Sequence, residues 1–258
     1  MRALSTPELL EAWERGLNRS SLERALLLLS AATGVSLAHL SRLSIGERDA
    51  RLLKLRETAF GSELSVLAEC PACHERLEMT FNVADLCVGQ KRAEPSSSSQ
   101  EIAFHNDAPP QTFSLAVEAY EISFRLPDSR DLLALARHAD ADAARRVLLS
   151  RCILKATFDG ADVSFDQLPA GVLTAIEERI AEIDPQADVR LALSCTQCTQ
   201  PWEEIFDINS FFWTEINAWA KRILREVHTL ARAYGWRERD ILEMSAWRRE
   251  FYLNMVAG

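Results

Sequence analysis

Two Cys-x-x-Cys pairs, Cys70-Pro-Ala-Cys73 and Cys195-Thr-Gln-Cys198, constrain this 258-residue chain more than any other feature. Each lies between short segments that partly alternate apolar and polar residues, LSVLAECPACHERLEMTFNV and DVRLALSCTQCTQPWEEIFDI. That layout predicts a strand, a tight turn and a strand at both places. A CxxC turn offers two thiolates from one loop, and four thiolates complete a tetrahedral zinc site with no open position for water. The 121 residues between Cys73 and Cys195 far exceed the spacing of a compact finger. The matching strand contexts nevertheless predict that Cys70, Cys73, Cys195 and Cys198 hold one structural Zn2+. Such a site would clasp distant parts of the chain, and metal binding would add directly to folding because the unfolded chain has no preformed site.

Other readings of the cysteines are open to test. A metal-free version would leave them simply buried. Cys70-Pro-Ala-Cys73-His74 fits the CxxCH pattern of c-type haem attachment, but that chemistry needs an oxidising compartment and leaves the second pair unexplained. A thioredoxin-like site would start a helix in a βαβ setting, and neither pair has that neighbourhood. His74, directly after Cys73, reads as a turn residue. Cys87 and Cys152, in apolar surroundings, read as small core residues.

The expected fold class is α+β, with helical ends, a central hairpin-and-helix section and two CxxC hairpins pairing into a zinc ribbon. Residues 1–62 form a helical part: Thr6 with Pro7, Ser20 with Glu23, and Ser44 with Glu47 mark three helix starts, and Gly34 and Gly61 mark two stops. Residues 63–88 hold the first knuckle hairpin. Residues 89–111 are a Ser- and Pro-rich loop. Residues 112–186 hold FSLAVEAYEISFRLP as a β-hairpin, a helix capped by Asp128 or Ser129, and helices near Asp140–Lys155 and Leu168–Ile183. Residues 187–209 hold the second knuckle, and 210–258 are helical. One stretch repeats at a constant offset: Leu29, Ala32, Gly34, Ser44 and Arg48 match Leu230, Ala233, Gly235, Ser245 and Arg249. In both copies a helix stops at glycine, a short helix follows and a serine starts another, as in a duplicated module.

Composition excludes several functions. With 48% hydrophobic and 26% charged residues the chain is globular. Its 29 basic and 38 acidic residues give a net charge of −9, which argues against nucleic acid as main partner. No apolar stretch is long enough to span a bilayer. The N-terminus, with Glu8, Glu11 and Glu14, is no secretory signal, so a cytoplasmic location is expected. GxSxG, phosphate-loop and HExxH patterns are missing, and the chain is expected not to be an enzyme. Five of six tryptophans follow Cys198. Most are expected in the core, but Trp236, Trp247, Arg248, Arg249, Phe251 and Tyr252 form the candidate partner-binding stretch, because aromatic and arginine side chains dominate interface hot spots.

The ending EVHTLARAYGWRERDILEMSAWRREFYLNMV, together with LLKLRETAFGSELSVLAECPACHERLEM, FRLPDSRDLLALA and LALSCTQCTQPWEEIFDI, resembles proteins encoded beside contractile phage tails and extracellular contractile injection systems. These are similar to the T-even phage baseplate hub assembly chaperone family. The resemblance covers nearly the whole chain, and the two knuckles and the YGW…RR…YL ending are its most specific elements. It implies a cytoplasmic assembly chaperone, or a component built into the particle, that meets baseplate, hub or other tail proteins. The rival class is a zinc-ribbon nucleic-acid-binding or transcription factor. That class would need a Lys/Arg face near knuckles that instead carry Glu69, Glu75, Glu78, Glu203 and Glu204.

Overall fold

The computed structural model describes residues 2–88, 111–135 and 140–257. Most of the loop read at 89–111 therefore lies outside the described residues. The chain is a mixed helix-and-sheet protein, as expected. Its first part is α1 (Thr6–Gly16), α2 (Ser21–Thr33), the short α3 (Leu37–Leu40) and α4 (Ile45–Phe60). The first knuckle follows as β1 (Glu63–Glu69) and β2 (Arg76–Asn82), and α5 (Val83–Leu86) returns the chain to the helices.

Capping chemistry explains where the helices begin, with two changes from the sequence reading. The α1 cap is Ser5, not Thr6, because the Glu8 carboxylate accepts from the Ser5 N–H at 2.9 Å, and three residues is the reach of that box. Ser20 and Glu23 make a full reciprocal box. Ser44 Oγ accepts from the Glu47 N–H at 3.2 Å, but Glu47 turns its carboxylate to Arg51 at 2.7 Å, so only half of that box forms. Gly34 ends α2 at φ 73°, a left-handed position open to a residue without Cβ.

The central section is β3 (Thr112–Val117), β4 (Tyr120–Arg125), α6 (Ser129–Leu135), α7 (Ala141–Cys152), β5 (Ile153–Phe158), β6 (Ala161–Asp162) and α8 (Ala170–Ile183). The four strands form one antiparallel sheet in the order β3-β4-β5-β6. The helix expected to run to Lys155 stops at Cys152, because Ile153–Phe158 pairs with β4. Pairing along a half-buried sheet outweighs continuation of the helix where Ile153 and Thr157 are β-branched. The helix expected from Leu168 starts at Ala170, with Phe165–Gln167 coiled into a 3-10 turn and Pro169 at the cap. A second 3-10 turn, Pro185–Ala187, leads to β7 (Arg190–Ser194) and β8 (Pro201–Ile205). The chain closes with the 27-residue α9 (Ile208–Tyr234), α10 (Glu238–Leu242) and α11 (Ala246–Ala257).

Two cores result. The larger draws on both ends of the chain and both knuckles: Leu28, Leu29, Leu52 and Leu53 pack with Leu64 of β1, Leu191 and Leu193 of β7, and Phe212, Ile216 and Ile223 of α9. The smaller joins Ile122 and Phe124 of β4 to Leu149, Val172 and Ile176 of α7 and α8. Between them, the start of α4 donates hydrogen bonds in three directions. Gly46 N–H donates to Asp184 Oδ2 at 3.0 Å, Ile45 N–H to the Pro127 carbonyl at 3.1 Å, and Arg48 to the buried Ser129 hydroxyl at 3.2 Å. Behind this joint, buried Asp131 accepts from Arg125 at 2.7 and 2.9 Å and from Arg151 at 2.8 Å.

The repeated stretch has the same local architecture in both places. Gly34 and Gly235 end their helices at φ 73° and 68°, and Ser44 Oγ and Ser245 Oγ each accept from the backbone N–H three residues on. Leu29 and Leu230 are fully buried, and Arg48 and Arg249 are both buried.

Candidate metal centre

Each CxxC pair occupies the turn of a two-stranded hairpin, and the two turns are built alike. In the first, Cys70 N–H donates to the Glu75 carbonyl at 2.9 Å and His74 N–H to the Cys70 carbonyl at 3.0 Å. In the second, Cys195 N–H donates to the Gln200 carbonyl at 3.0 Å and Thr199 N–H to the Cys195 carbonyl at 2.9 Å. Four residues after the first cysteine, His74 and Thr199 both take the left-handed conformation, at φ 61° and 60°. This reverses the chain directly behind the sulfurs. Threonine, being β-branched, adopts that conformation only at a cost.

The strands aim the turns at each other. Register pairs Glu69 with Arg76 in the first hairpin and Ser194 with Pro201 in the second, next to the cysteines in both cases. The hairpins remain separate two-stranded sheets, anchored on the larger core through Leu64, Leu191 and Leu193. At their tips the four sulfurs converge, all within 4.8 Å of one another. Cys70 Sγ lies 3.6 Å from Cys198 Sγ, and Cys73 Sγ lies 3.6 Å from Cys195 Sγ. Both of these contacts cross between hairpins. A disulfide would need about 2.05 Å, and all four cysteines are free. A tetrahedral ion with metal–sulfur bonds of about 2.3 Å places its sulfurs ~3.8 Å apart, close to these separations.

Burial and proton affinity differ among the thiols. Cys70 and Cys195 are buried, whereas Cys73 and Cys198 form the outer edge. The Cys73 backbone N–H draws the Cys70 thiol down to about 7, with help from the Ala72 N–H. At Cys73 the Glu75 N–H favours the thiolate, but contact with the other sulfurs and burial outweigh it and push the thiol up to about 12. Cys198 is also raised: the Gln200 N–H favours its thiolate, while burial and the sulfurs of Cys70 and Cys195 oppose it. Four thiolates this close repel one another unless a positive ion stands between them, and a set of four soft thiolates suits such a metal. His74 is outside the set: its Nδ1 contacts Glu69 Oε1 at 2.8 Å on the exposed side. Cys87 is half-buried against the larger core. Cys152 is fully buried, and burial pushes its thiol up to about 12.

The residues of the candidate partner stretch have different environments. Trp247 and Phe251 are 73% and 52% exposed, and Arg248 is exposed. Trp236 and Tyr252 pack against the larger core, with their rings 4.8 Å apart. Arg249 turns inward, with Nε on Glu226 at 3.1 Å and NH1 on the Met244 carbonyl at 2.6 Å, so it anchors α11. Sequence reasoning missed a mostly apolar cleft of about 510 Å3 between Leu22, Ile45, Leu132, Leu133 and Ile205, with Asp49, Asp207 and Asn209 at its polar side. Its lining comes from several separate elements, so no local pattern could announce it.

These features define an α+β protein whose two CxxC hairpins bring four cysteines into one cluster able to bind a metal ion. The chain belongs to the family described as T4 bacteriophage base plate protein, and residues 18–213 match that family. No curated protein and no solved structure matches it. Among the described residues, no helix is long and apolar enough to cross a membrane.

Proposed function

We propose that this chain is a non-catalytic baseplate protein of a contractile phage-tail-like particle, a hub-type assembly chaperone or a resident component, stabilised by one structural Zn2+. The convergence of Cys70, Cys73, Cys195 and Cys198 carries this reading, together with the family membership. Four thiolates fill a tetrahedral zinc ion, leaving no site for a hydrolytic water. The ion then acts as a rivet. It would hold β1–β2 against β7–β8, two hairpins that no strand pairing joins among the described residues.

The protein works through the surfaces this rivet keeps in place. It acts in the cytoplasm by covering apolar surfaces or strand edges of hub or other tail proteins until the proper neighbour arrives. The two knuckle hairpins carry exposed Glu69, Glu75, Glu203 and Glu204, a poor match to phosphate backbones. Co-expression with the neighbouring tail and baseplate gene products, followed by affinity purification, tests the proposal. Recovery of a stoichiometric complex with a baseplate or hub protein is expected. Recovery of none, or tight salt-sensitive DNA binding by the zinc-loaded protein, would overturn it in favour of a nucleic-acid-binding zinc ribbon.

A further inference from the structure

We propose that the cleft between α2, α4, α6 and β8 seats a segment of a partner protein that carries a lysine or arginine between apolar side chains. This deepens the baseplate reading and rests on it for the source of the partner. All of the residues lining the cleft fall within 18–213, the stretch that matches the family.

The walls are apolar and continue outward. Leu22, Ile45, Leu53, Leu132 and Phe206 line a space of about 510 Å3, within the ~300–1,000 Å3 of clefts that hold ligands. Two further lining residues, Leu133 and Ile205, are 44% and 66% exposed. The apolar surface therefore runs out of the cleft onto the exterior, where a longer occupant can cover it.

The polar side is short of positive charge. The Asn209 amide reaches two carboxylates, with Nδ2 2.9 Å from Asp207 Oδ1 and 3.5 Å from Asp49 Oδ1. Against both, the lining supplies one cation, Arg48, whose Nε donates to Asp49 Oδ1 at 2.7 Å. Among the described residues Asp207 has only neutral donors, the Ser210 hydroxyl at 2.6 Å and the backbone N–H and amide of Asn209. Burial pushes the Asp49 carboxyl above its ordinary 3.8 against the pull of Arg48, and the Asp207 charge adds to the push. Asn209 Oδ1 is buried without a donor among the described residues. An ammonium or guanidinium group here offsets the excess negative charge and brings the N–H donors that this end lacks.

A strand edge beside the cleft favours a polypeptide over a free amine. β8 pairs only with β7, so its other edge is open among the described residues. Phe206 N–H donates to the Val189 carbonyl and Cys195 N–H to the Gln200 carbonyl, which fixes the alternation along the hairpin. Ile205, opposite Arg190, then directs its backbone N–H and carbonyl away from β7. An extended segment can bond to Ile205 while its side chains enter the cleft.

NMR titration of the full, metal-loaded chain with the capped peptide acetyl-Leu-Val-Lys-Val-Leu-amide tests this. A Kd below about 1 mM is expected, with shifts at Leu133, Ile205 and Asn209. Norleucine in place of the lysine should weaken binding at least ~5-fold, and glutamate should weaken it further. Raising NaCl from about 50 to about 500 mM should loosen the lysine peptide and spare the norleucine one. Leu133→Ser, at an exposed position, and Asp207→Asn, which keeps a capping side chain on α9, should each weaken binding at least ~3-fold with unchanged circular dichroism. Equal binding of the three peptides, shifts confined to another surface, or no binding at about 10 mM would overturn the proposal. So would n-butylamine binding as tightly as the peptide, or peptide-free shifts that grow with protein concentration, which would assign the cleft to a small amine or a second copy. A baseplate complex unaffected by Leu133→Ser would overturn the cleft assignment alone. Peptide binding at the cleft with no baseplate protein recovered would support the cleft and overturn the baseplate reading.

Discussion

Replacing Gly46 by alanine tests how the two cores are joined. Gly46 lies in the first turn of α4, where its N–H has no partner within the helix and donates instead to Asp184. A Cβ at this position would lie 2.7 Å from Asp184 Cγ and 3.0 Å from the Ala187 backbone nitrogen. The Asp184–Ala187 turn must therefore retreat. Overpacking of this kind costs ~1–3 kcal/mol, and losing a charge-assisted hydrogen bond adds about 1.5 kcal/mol. The higher helix propensity of alanine returns up to ~1 kcal/mol. Gly46→Ala should therefore destabilise the metal-loaded protein by about 2 kcal/mol, a fall in Tm of roughly 4–8 °C for a chain of this size. Urea unfolding followed by circular dichroism provides the measurement. Repeating the substitution in an Asp184→Ala background removes the acceptor and the tighter clash, leaving only the Ala187 nitrogen at 3.0 Å, which a shift of a few tenths of an ångström relieves. There Gly46→Ala should be close to neutral, giving a coupling of about 2 kcal/mol between the positions. Equal effects in both backgrounds, or a stabilising Gly46→Ala in the wild type, would refute the close approach of the turn.

Three further outcomes follow from named contacts. Arg125, the Asp128 backbone N–H and Arg151 outweigh the burial of Asp131 and hold its carboxyl at about 2, below its ordinary 3.8. A depressed pKa contributes stability above the unfolded value that is lost as pH falls from about 4 to about 2, so acid titration should remove at most about 2 kcal/mol that Asp131→Asn lacks. Arg56 is buried between α4 and α9, with Glu215 at 2.6 and 2.8 Å and the Gly61 carbonyl at 2.7 Å. Arg56→Ala should cost about 3 kcal/mol in urea unfolding, while Arg56→Met with Glu215→Leu should recover most of it. Thr199 sits at φ 60° in the second knuckle. Thr199→Asn should raise stability by ~0.5 kcal/mol without altering metal content, because asparagine tolerates that conformation better than a β-branched residue.

How far the sequence revealed the fold depended on whether the deciding physics was local. The hairpins around Cys70 and Cys195 were legible because alternation and CxxC turns lie within twenty residues. The glycine stops at Gly34, Gly61 and Gly235 were legible for the same reason. The end of α7 was not, because Ile153–Phe158 becomes a strand through pairing with Tyr120–Arg125, some thirty residues away. The Ser44–Glu47 box was half right, since Arg51 competed for the carboxylate. At the site, convergence of the sulfurs followed from two matching local contexts. The inward turn of Arg249 depended on Glu226, two helices earlier in α9, which no spacing within α11 encodes. The cleft between α2, α4, α6 and β8 depends on contacts across more than a hundred residues, and no sequence motif marks it.

The central claim is that one ion held by both knuckles clasps the chain, and the zinc content of the purified protein tests it most directly. Metal analysis should find one zinc per wild-type chain, one in Cys152→Ser, whose sulfur is buried away from the cluster, and a clear loss in Cys195→Ser. A full equivalent retained in Cys195→Ser, or none in the wild type purified without chelator, would contradict the four-cysteine centre.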